Sequence, residues 1–154
     1  MEAREVKVGI AELFREVFEG VAPGADGTWF VQGKEGIFDA IRTLSAAQAS
    51  ELRPGALATI GAHVRHLNYY LSLFNANLRK ESPSADWKGS WAVQEFDDAA
   101  WAALAADVEL EFRFAYDWYQ SDADFRSKDQ AFYAVANLAH AAYHLGAIRA
   151  LMVH

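Results

Sequence analysis

An unbroken apolar repeat in the middle of the chain is the feature that most restricts its fold. Between residues 54 and 81, apolar side chains recur at alternating intervals of three and four residues. The repeat consists of Leu57, Ile60, Val64, Leu67, Leu71, Phe74 and Leu78. This spacing places one apolar stripe along an α-helix, as in the seam of an antiparallel helix bundle. It predicts a long helix that begins near Pro54, a favourable first-turn residue, and ends near Glu81.

Three further stretches carry helical spacing, and they predict long helices over residues 3–19, 97–120 and 127–152. Asp97 or Asp98 is the expected cap of the third long helix. The fourth is apolar almost all round, so we expect it to be the most buried. Because no segment alternates like a strand, and four apolar stripes can be buried in one core, the predicted fold class is all-α, a four-helix bundle.

Shorter features fill the connections between these helices. A short helix is predicted over residues 37–44, followed by a capping box from Ser45 to Gln48. The loop before it carries the turn signal Asp26-Gly27. Residues 82–96 connect the second and third long helices, and a connection of this length could cross the bundle.

Composition excludes several classes of protein and site. The chain has 154 residues, which suggests one domain over residues 1–154. Its formal net charge of −7 and lack of a basic run argue against nucleic-acid binding. The absence of cysteine excludes disulfides, thiolate metal sites and cysteine nucleophiles. No apolar run approaches the roughly 20 residues that span a bilayer, and the first residues do not resemble a signal peptide, so we expect no membrane association and a cytoplasmic location.

Four of the five histidines occur in two helical clusters, and the fifth, His154, is the last residue. His140 and His144 are four residues apart, which places both imidazoles on one helix face, one turn apart. Such a pair can bind one divalent metal ion. The second long helix offers His63 and His66 as a further ligand. The competing interpretation is that these are hydrogen-bonded core histidines.

The choice between His63 and His66 cannot be made from spacing alone. On a helical wheel, His63 lies roughly 70° from the centre of the seam and His66 roughly 130°, which favours His63 as the inward residue. An off-seam residue can nevertheless face another helix. Imidazole ligands suit zinc, nickel, iron and copper, so the metal is left open.

Several other side chains are candidates for roles around such a site. Tryptophans in the connections could wall an apolar substrate pocket, although plain core packing is the favoured role for any one of them; they are Trp29, Trp87 and Trp91. Carboxylates on the third long helix could orient the imidazoles; they are Asp107, Glu111 and Asp117.

The chain resembles the DinB-like superfamily of four-helix-bundle proteins, the DinB/YfiT group, over nearly its whole length. The resemblance is carried by Thr59-Ile60 leading to His66-Leu67, and by the pair His140 and His144 followed by Leu145-Gly146. In the family pattern the ligand falls seven residues after the threonine. This selects His66 over His63, with His63 in reserve.

The resemblance implies an up-down-down-up bundle with a long crossover between the second and third long helices. It implies a divalent metal site, with zinc, nickel or iron bound by His66, His140 and His144, and a homodimer. Relatives include S-transferases and an isomerase that use low-molecular-weight thiols. Others are described as metal-dependent hydrolases or as products induced by DNA damage.

These observations support two main functional hypotheses. In the first, the chain is a metal-dependent enzyme, of S-transferase or hydrolase type, that activates water or a low-molecular-weight thiol toward a small-molecule substrate. His63 is then the candidate catalytic proton acceptor. In the second, the protein is a non-enzymatic, stress-related bundle that binds a metal or ligand without turnover. A bundle with purely structural histidines and a haem protein are weaker alternatives.

Overall fold

The computed structural model describes residues 3–25 and 29–152, and within these ranges all regular structure is helical. This confirms the all-α prediction. The turn signal Asp26-Gly27 and the terminal His154 lie outside the described residues. The helices are α1 (Ala3–Glu19), α2 (Ile37–Thr43), α3 (Ala46–Ala49), α4 (Ile60–Leu78), α5 (Asp98–Gln120) and α6 (Lys128–Met152), with a 3₁₀ turn at Gly89–Trp91.

Side-chain caps fix several helix ends where the sequence predicts them. Ser45 accepts a hydrogen bond from the Gln48 backbone N–H, and the Gln48 side chain accepts one from the Ser45 N–H. This completes the predicted capping box at the start of α3. At the start of α5 the Asp97 carboxylate accepts from the Ala100 N–H at 2.7 Å, so Asp97 rather than Asp98 is the cap.

The predicted start of the second long helix at Pro54 is wrong. Helix α4 begins at Ile60, where the Thr59 side chain caps it by accepting from the Ala62 N–H. Gly55 has a φ of +79°, which is incompatible with a right-handed helix, so the chain turns before the helix begins. Leu57 therefore does not belong to the seam and is fully exposed.

The four long helices surround one core. Helix α4 packs against α5 and α6, and α1 packs against the same two helices. Aromatic rings fill the centre with centroid separations of 4.8–5.4 Å between Phe14, Phe18, Phe112 and Tyr119. Short helices α2 and α3 close the core, and Phe38 of α2 packs edge-on against Phe112.

Helix α6 is not buried all round, contrary to the expectation. Its neighbours are α1, α2 and α4, and one face receives no other helix of the described chain. Large apolar side chains on that face are exposed, among them Phe132, Val135 and Tyr143. Apolar character around the whole circumference therefore reflects an uncovered face rather than complete burial.

The connection of residues 82–96 runs back along α4. Its residue Gln94 lies at the start of α4, where the Thr59 hydroxyl donates to the Gln94 carbonyl oxygen at 2.8 Å. At the middle of the connection, the carbonyl oxygens of Gly89 and Ser90 accept hydrogen bonds from Arg65 of α4. The 3₁₀ turn is thereby held against the face of α4 that carries His66. Among the described residues, no helix is long and apolar enough to cross a membrane.

Candidate metal centre

Three histidines from two helices meet where α4 packs against α6. His66 belongs to α4, and His140 and His144 belong to α6. A ligand nitrogen of each ring lies within 4.8 Å of those of the other two. His144 and His66 are almost inaccessible to solvent, with 1% and 8% of their surface exposed, and His140 is half-buried. The structure therefore brings together the three residues that the sequence motif selects.

The two histidines of α6 face each other at a separation that suits a shared metal ion. Their Nε2 atoms are 3.2 Å apart. Two imidazole nitrogens that each bind a tetrahedral zinc ion at about 2.0–2.1 Å are about 3.3–3.4 Å apart. The spacing of four residues on one helix thus sets this pair close to the geometry of two ligands.

A hydrogen-bond chain fixes which nitrogen of His66 faces the cluster. The Ser90 hydroxyl donates to the Trp87 carbonyl oxygen at 2.7 Å, so its oxygen accepts from His66 Nδ1, which lies 2.6 Å away. A proton on Nδ1 leaves Nε2 with a free lone pair. Ser90 therefore holds His66 in the tautomer that a metal ligand needs.

His63 contacts the cluster from outside. Its Nδ1 lies 3.0 Å from Nδ1 of His144, whose Nε2 faces His140. The two contacts use opposite nitrogens of the His144 ring. His63 is thus placed to accept the Nδ1 proton of His144, a role that differs from that of a fourth ligand.

The cluster is held in its neutral form. Burial, and to a smaller extent the like charge of neighbouring histidines, lowers the pKa of His144 to about 3 and that of His140 to about 4. Burial also lowers the pKa of His66 and of His63. Neutral imidazole is the form that binds a metal ion, so the lone pairs are present at neutral pH.

Two aromatic side chains cover the histidines. The ring of Trp91 stacks on His66 at a centroid distance of 4.1 Å and packs edge-on against His63. The ring of Tyr70 stacks on His140 at 3.9 Å. These contacts fix the planes of the imidazoles and shield the cluster from water on two sides.

Of the three tryptophans that the sequence singles out, only Trp91 lies directly against the histidines. Trp87 is half exposed and, with Tyr70, lines a cleft on the side of His140. Trp29 is 81% exposed and covers neither the core nor the cluster. Trp91 and Trp87 thus line clefts, and their role as walls of a substrate pocket stays a prediction, whereas the exposure of Trp29 contradicts a packing role for that residue.

The expected carboxylate partners point elsewhere. Asp107 accepts from Asn68 at 2.6 Å, Glu111 accepts from Asn75, and Asp117 is exposed. The imidazoles are oriented instead by Ser90 and His63. Nothing in the sequence marks Ser90, a serine in an irregular connection. Tyr70 could have been found, because it lies four residues after His66 on the same face of α4.

Comparisons with known proteins identify no relative of this chain. No profile of a known family, no curated protein and no solved structure matches the chain. The candidate metal centre consequently depends on its own arrangement of three neutral, oriented imidazoles.

Proposed function

We propose that the chain is a metal-dependent enzyme of the DinB-like kind, with one divalent ion bound by His66, His140 and His144. The observation that carries the proposal is the convergence of three imidazole nitrogens within 4.8 Å. The fit is supported by the free lone pair that Ser90 leaves on His66 Nε2. Zinc, nickel and iron all suit three imidazoles.

We also propose that the fold is a four-helix bundle with up-down-down-up topology. Support comes from contacts between α4 and α5 that advance in the same direction: Asn68 bonds Asp107 and Asn75 bonds Glu111. Two consecutive helices that run in the same direction require a crossover connection. Residues 82–96, which run back along α4 before α5 begins, form this crossover in the proposed topology.

A bound ion supplies Lewis acidity, which lowers the pKa of a coordinated water or thiol. The chain's own residues supply orientation and proton transfer. Ser90 holds His66, and His63 holds His144 through the Nδ1 contact. His63 also lines an open cleft. While its Nδ1 accepts from His144, its Nε2 carries the proton and acts as a hydrogen-bond donor on the cleft side, so His63 accepts the proton of the attacking water or thiol only after the His144 contact is released. Trp91 shields the cluster and limits competing water.

The reaction class follows from what the chain lacks and what it offers. Without cysteine, an attacking thiolate sulfur has to come from a small molecule. We propose that a low-molecular-weight thiol or water, having lost its proton, attacks an electrophilic small molecule, and that the bond to a leaving group breaks as the new bond to sulfur or oxygen forms. The reaction is then S-transfer or hydrolysis, and the leaving group departs with the electron pair of the broken bond. A homodimer and a cytoplasmic location complete the proposal.

Metal content is the first test. The protein without an affinity tag is reconstituted with zinc, nickel or iron, and bound metal is measured by elemental mass spectrometry. Wild type should retain about one equivalent, as expected for one three-histidine site. The variants His66→Ala and His140→Ala should retain none. The control is His154→Ala, at the one histidine that the sequence does not group with the others, and it should equal wild type.

The outcomes separate the possible ligand sets. Absence of metal from wild type with all three ions contradicts the proposal. Metal lost in His140→Ala but kept in His66→Ala would assign the third ligand to His63. Either result would remove the basis for comparing this chain with the DinB-like family.

A non-enzymatic metal- or ligand-binding protein is the second candidate function. It is favoured by the covering of the cluster by Trp91 and Tyr70, which limits access to the ion. Metal-loaded protein is assayed with cysteine and 1-chloro-2,4-dinitrobenzene for S-transfer, and with p-nitrophenyl acetate for hydrolysis. Turnover that disappears in His140→Ala supports the enzyme, whereas bound metal without turnover on either substrate favours the second candidate.

A further inference from the structure

A cleft of about 580 Å³ opens beside the histidine cluster, on the side of His63. Its volume lies within the range of roughly 300–1,000 Å³ that is typical of small-molecule sites. The inner wall is formed by His63 and Trp91, whose rings pack edge-on. The outer walls come from α6 and from the segment before α4, and they include Tyr143, Ala147, Leu151 and Leu57.

The chemistry of the walls is apolar and uncharged. Although 23% of the residues in the chain are charged, none of the described residues lining the cleft is charged. Gln94 is one of the polar side chains, and it is engaged on both ends, accepting from the Thr59 N–H and donating to the Trp91 carbonyl oxygen. A charged group entering the cleft would lose hydration without gaining an opposite charge.

One nitrogen of His63 is committed to the cluster, because its Nδ1 contacts His144. Its other ring nitrogen can meet a polar group at the inner end of the cleft. Small side chains on α6, Ala147 and Ala150, leave the space in front of His63 and Trp91 open. The cleft thus combines an apolar body with one polar contact, which is the pattern of a small-molecule site.

We propose that this cleft binds the uncharged, apolar portion of a small molecule and brings its polar end to His63. The statement that the cleft binds the electrophile of the reaction rests on the proposed function. The binding itself requires no metal ion, since the lining residues do not include His66, His140 or His144. The occupant is a neutral aromatic or aliphatic molecule.

The test uses N-phenyl-1-naphthylamine, an uncharged probe whose fluorescence rises in apolar surroundings. It is titrated into metal-free and metal-loaded wild-type protein and into Ala147→Phe, whose added ring would fill the cleft. The control is Ala106→Phe, the same substitution at an exposed position of α5. Saturable binding should weaken at least about tenfold in Ala147→Phe, which corresponds to 1.4 kcal/mol, and remain within about twofold in the control.

Two further measurements keep the result interpretable. Circular dichroism and metal content establish that Ala147→Phe is folded and retains the metal site. The anionic probe 1-anilino-8-naphthalenesulfonate should bind more weakly than the neutral probe, because the described residues that line the cleft include no cation. Equal binding of the neutral probe to wild type and Ala147→Phe, or tighter binding of the anionic probe, contradicts the proposal.

Light scattering after gel filtration tests the other occupant, a second copy of the chain. If wild type is a dimer, Ala147→Phe is a monomer and the probe does not bind wild type, the cleft is an interface and the inference is wrong. If the probe binds as predicted but wild type holds no metal with zinc, nickel or iron, the proposed function fails and the ligand site remains.

Discussion

At the scale of the residue, the candidate site depends most on a serine that no motif contains. Ser90 accepts from His66 Nδ1 at 2.6 Å while donating to the Trp87 carbonyl oxygen. We expect Ser90→Ala to lower metal affinity by about 10- to 100-fold, as is typical for partners of ligating histidines. Affinity is measured by competition with a chromogenic chelator.

The control for this prediction is Ser84→Ala, an exposed serine in the same connection. Its affinity should match wild type. Wild-type affinity in Ser90→Ala would show that the hydrogen bond does not orient His66.

A second prediction at this scale concerns a buried carboxylate away from the site. Glu16 has 6% of its surface exposed, and its Oε1 accepts from the backbone N–H groups of Trp29, Phe30 and Val31 at 2.7–3.1 Å. Glu16→Gln replaces this charged acceptor with a neutral one. We expect a loss of about 1–3 kcal/mol in the free energy of unfolding, measured in urea.

Glu12→Gln, an exposed position on α1, serves as the matched control and should change stability little. If both substitutions have the same small effect, the three hydrogen bonds of Glu16 do not stabilise the loop.

At the scale of the element, the junction of α1 and α2 leaves no room for a side chain. A Cβ at Gly36 would lie 2.6 Å from the Phe18 carbonyl oxygen and 2.7 Å from the Gly20 nitrogen, both of them backbone atoms. We expect Gly36→Ala to destabilise the protein by about 1–3 kcal/mol, because α2 must shift away from α1. Urea unfolding measures the change.

Gly9→Ala is the contrasting variant, since a Cβ at Gly9 in α1 meets no other atom within 4 Å. Alanine favours the helix by about 0.5–1 kcal/mol over glycine, so this variant should be more stable than wild type. A stable Gly36→Ala would mean that the junction can relax without cost.

The elements also differ in how far their bounds could be predicted. Helices α1 and α5 begin and end where periodicity and capping residues indicate, because these signals act within one or two turns. The apolar repeat places the start of α4 too early. It begins at Leu57, although the chain turns at Gly55, which has a positive φ, and the helix starts only at Ile60. Periodicity reports which face is apolar, and it does not report where a turn interrupts the helix.

At the scale of the whole molecule, the histidine cluster links stability to pH. His140 and His144 have folded-state pKa values of about 4 and about 3, below the ordinary histidine value of 6.5 that applies in the unfolded chain. Their contribution is complete above pH 6.5 and is lost as the pH falls toward the folded values, because only the unfolded chain takes up the protons.

Chelator-treated protein should therefore have a lower Tm at pH 5.0 than at pH 7.5. His140→Gln removes one of the groups with a strongly lowered pKa and should show a smaller decrease in Tm over the same interval. An equal decrease in both proteins would show that other groups cause the acid sensitivity.

Self-association also belongs to this scale, and the homodimer stays a prediction. It is supported by the exposed apolar face of α6, which includes Phe132, Val135 and Tyr143. If the dimer forms through this face, Val135→Glu should be a monomer by light scattering after gel filtration. The control Ala106→Glu, at an exposed position of α5, should remain a dimer. A dimer that persists in Val135→Glu would place the interface elsewhere.

The sequence by itself determined that the chain forms four long helices and that His140 and His144 share one face of the last of them. Both follow from spacings of three and four residues, since such spacing defines one face of a helix before any other helix is present. The wheel alone favoured His63, and the motif was needed to select His66, which the structure buries against Ser90 and Trp91.

Only the tertiary structure decided what surrounds those histidines. Ser90 and Trp91 reach His66 because the connection runs back along α4, held by contacts of Thr59 and Arg65. The cleft beside His63 likewise requires α6 and the segment before α4 to lie side by side. These neighbours are distant along the chain and share no period with the histidines, so their roles arise only when the helices pack.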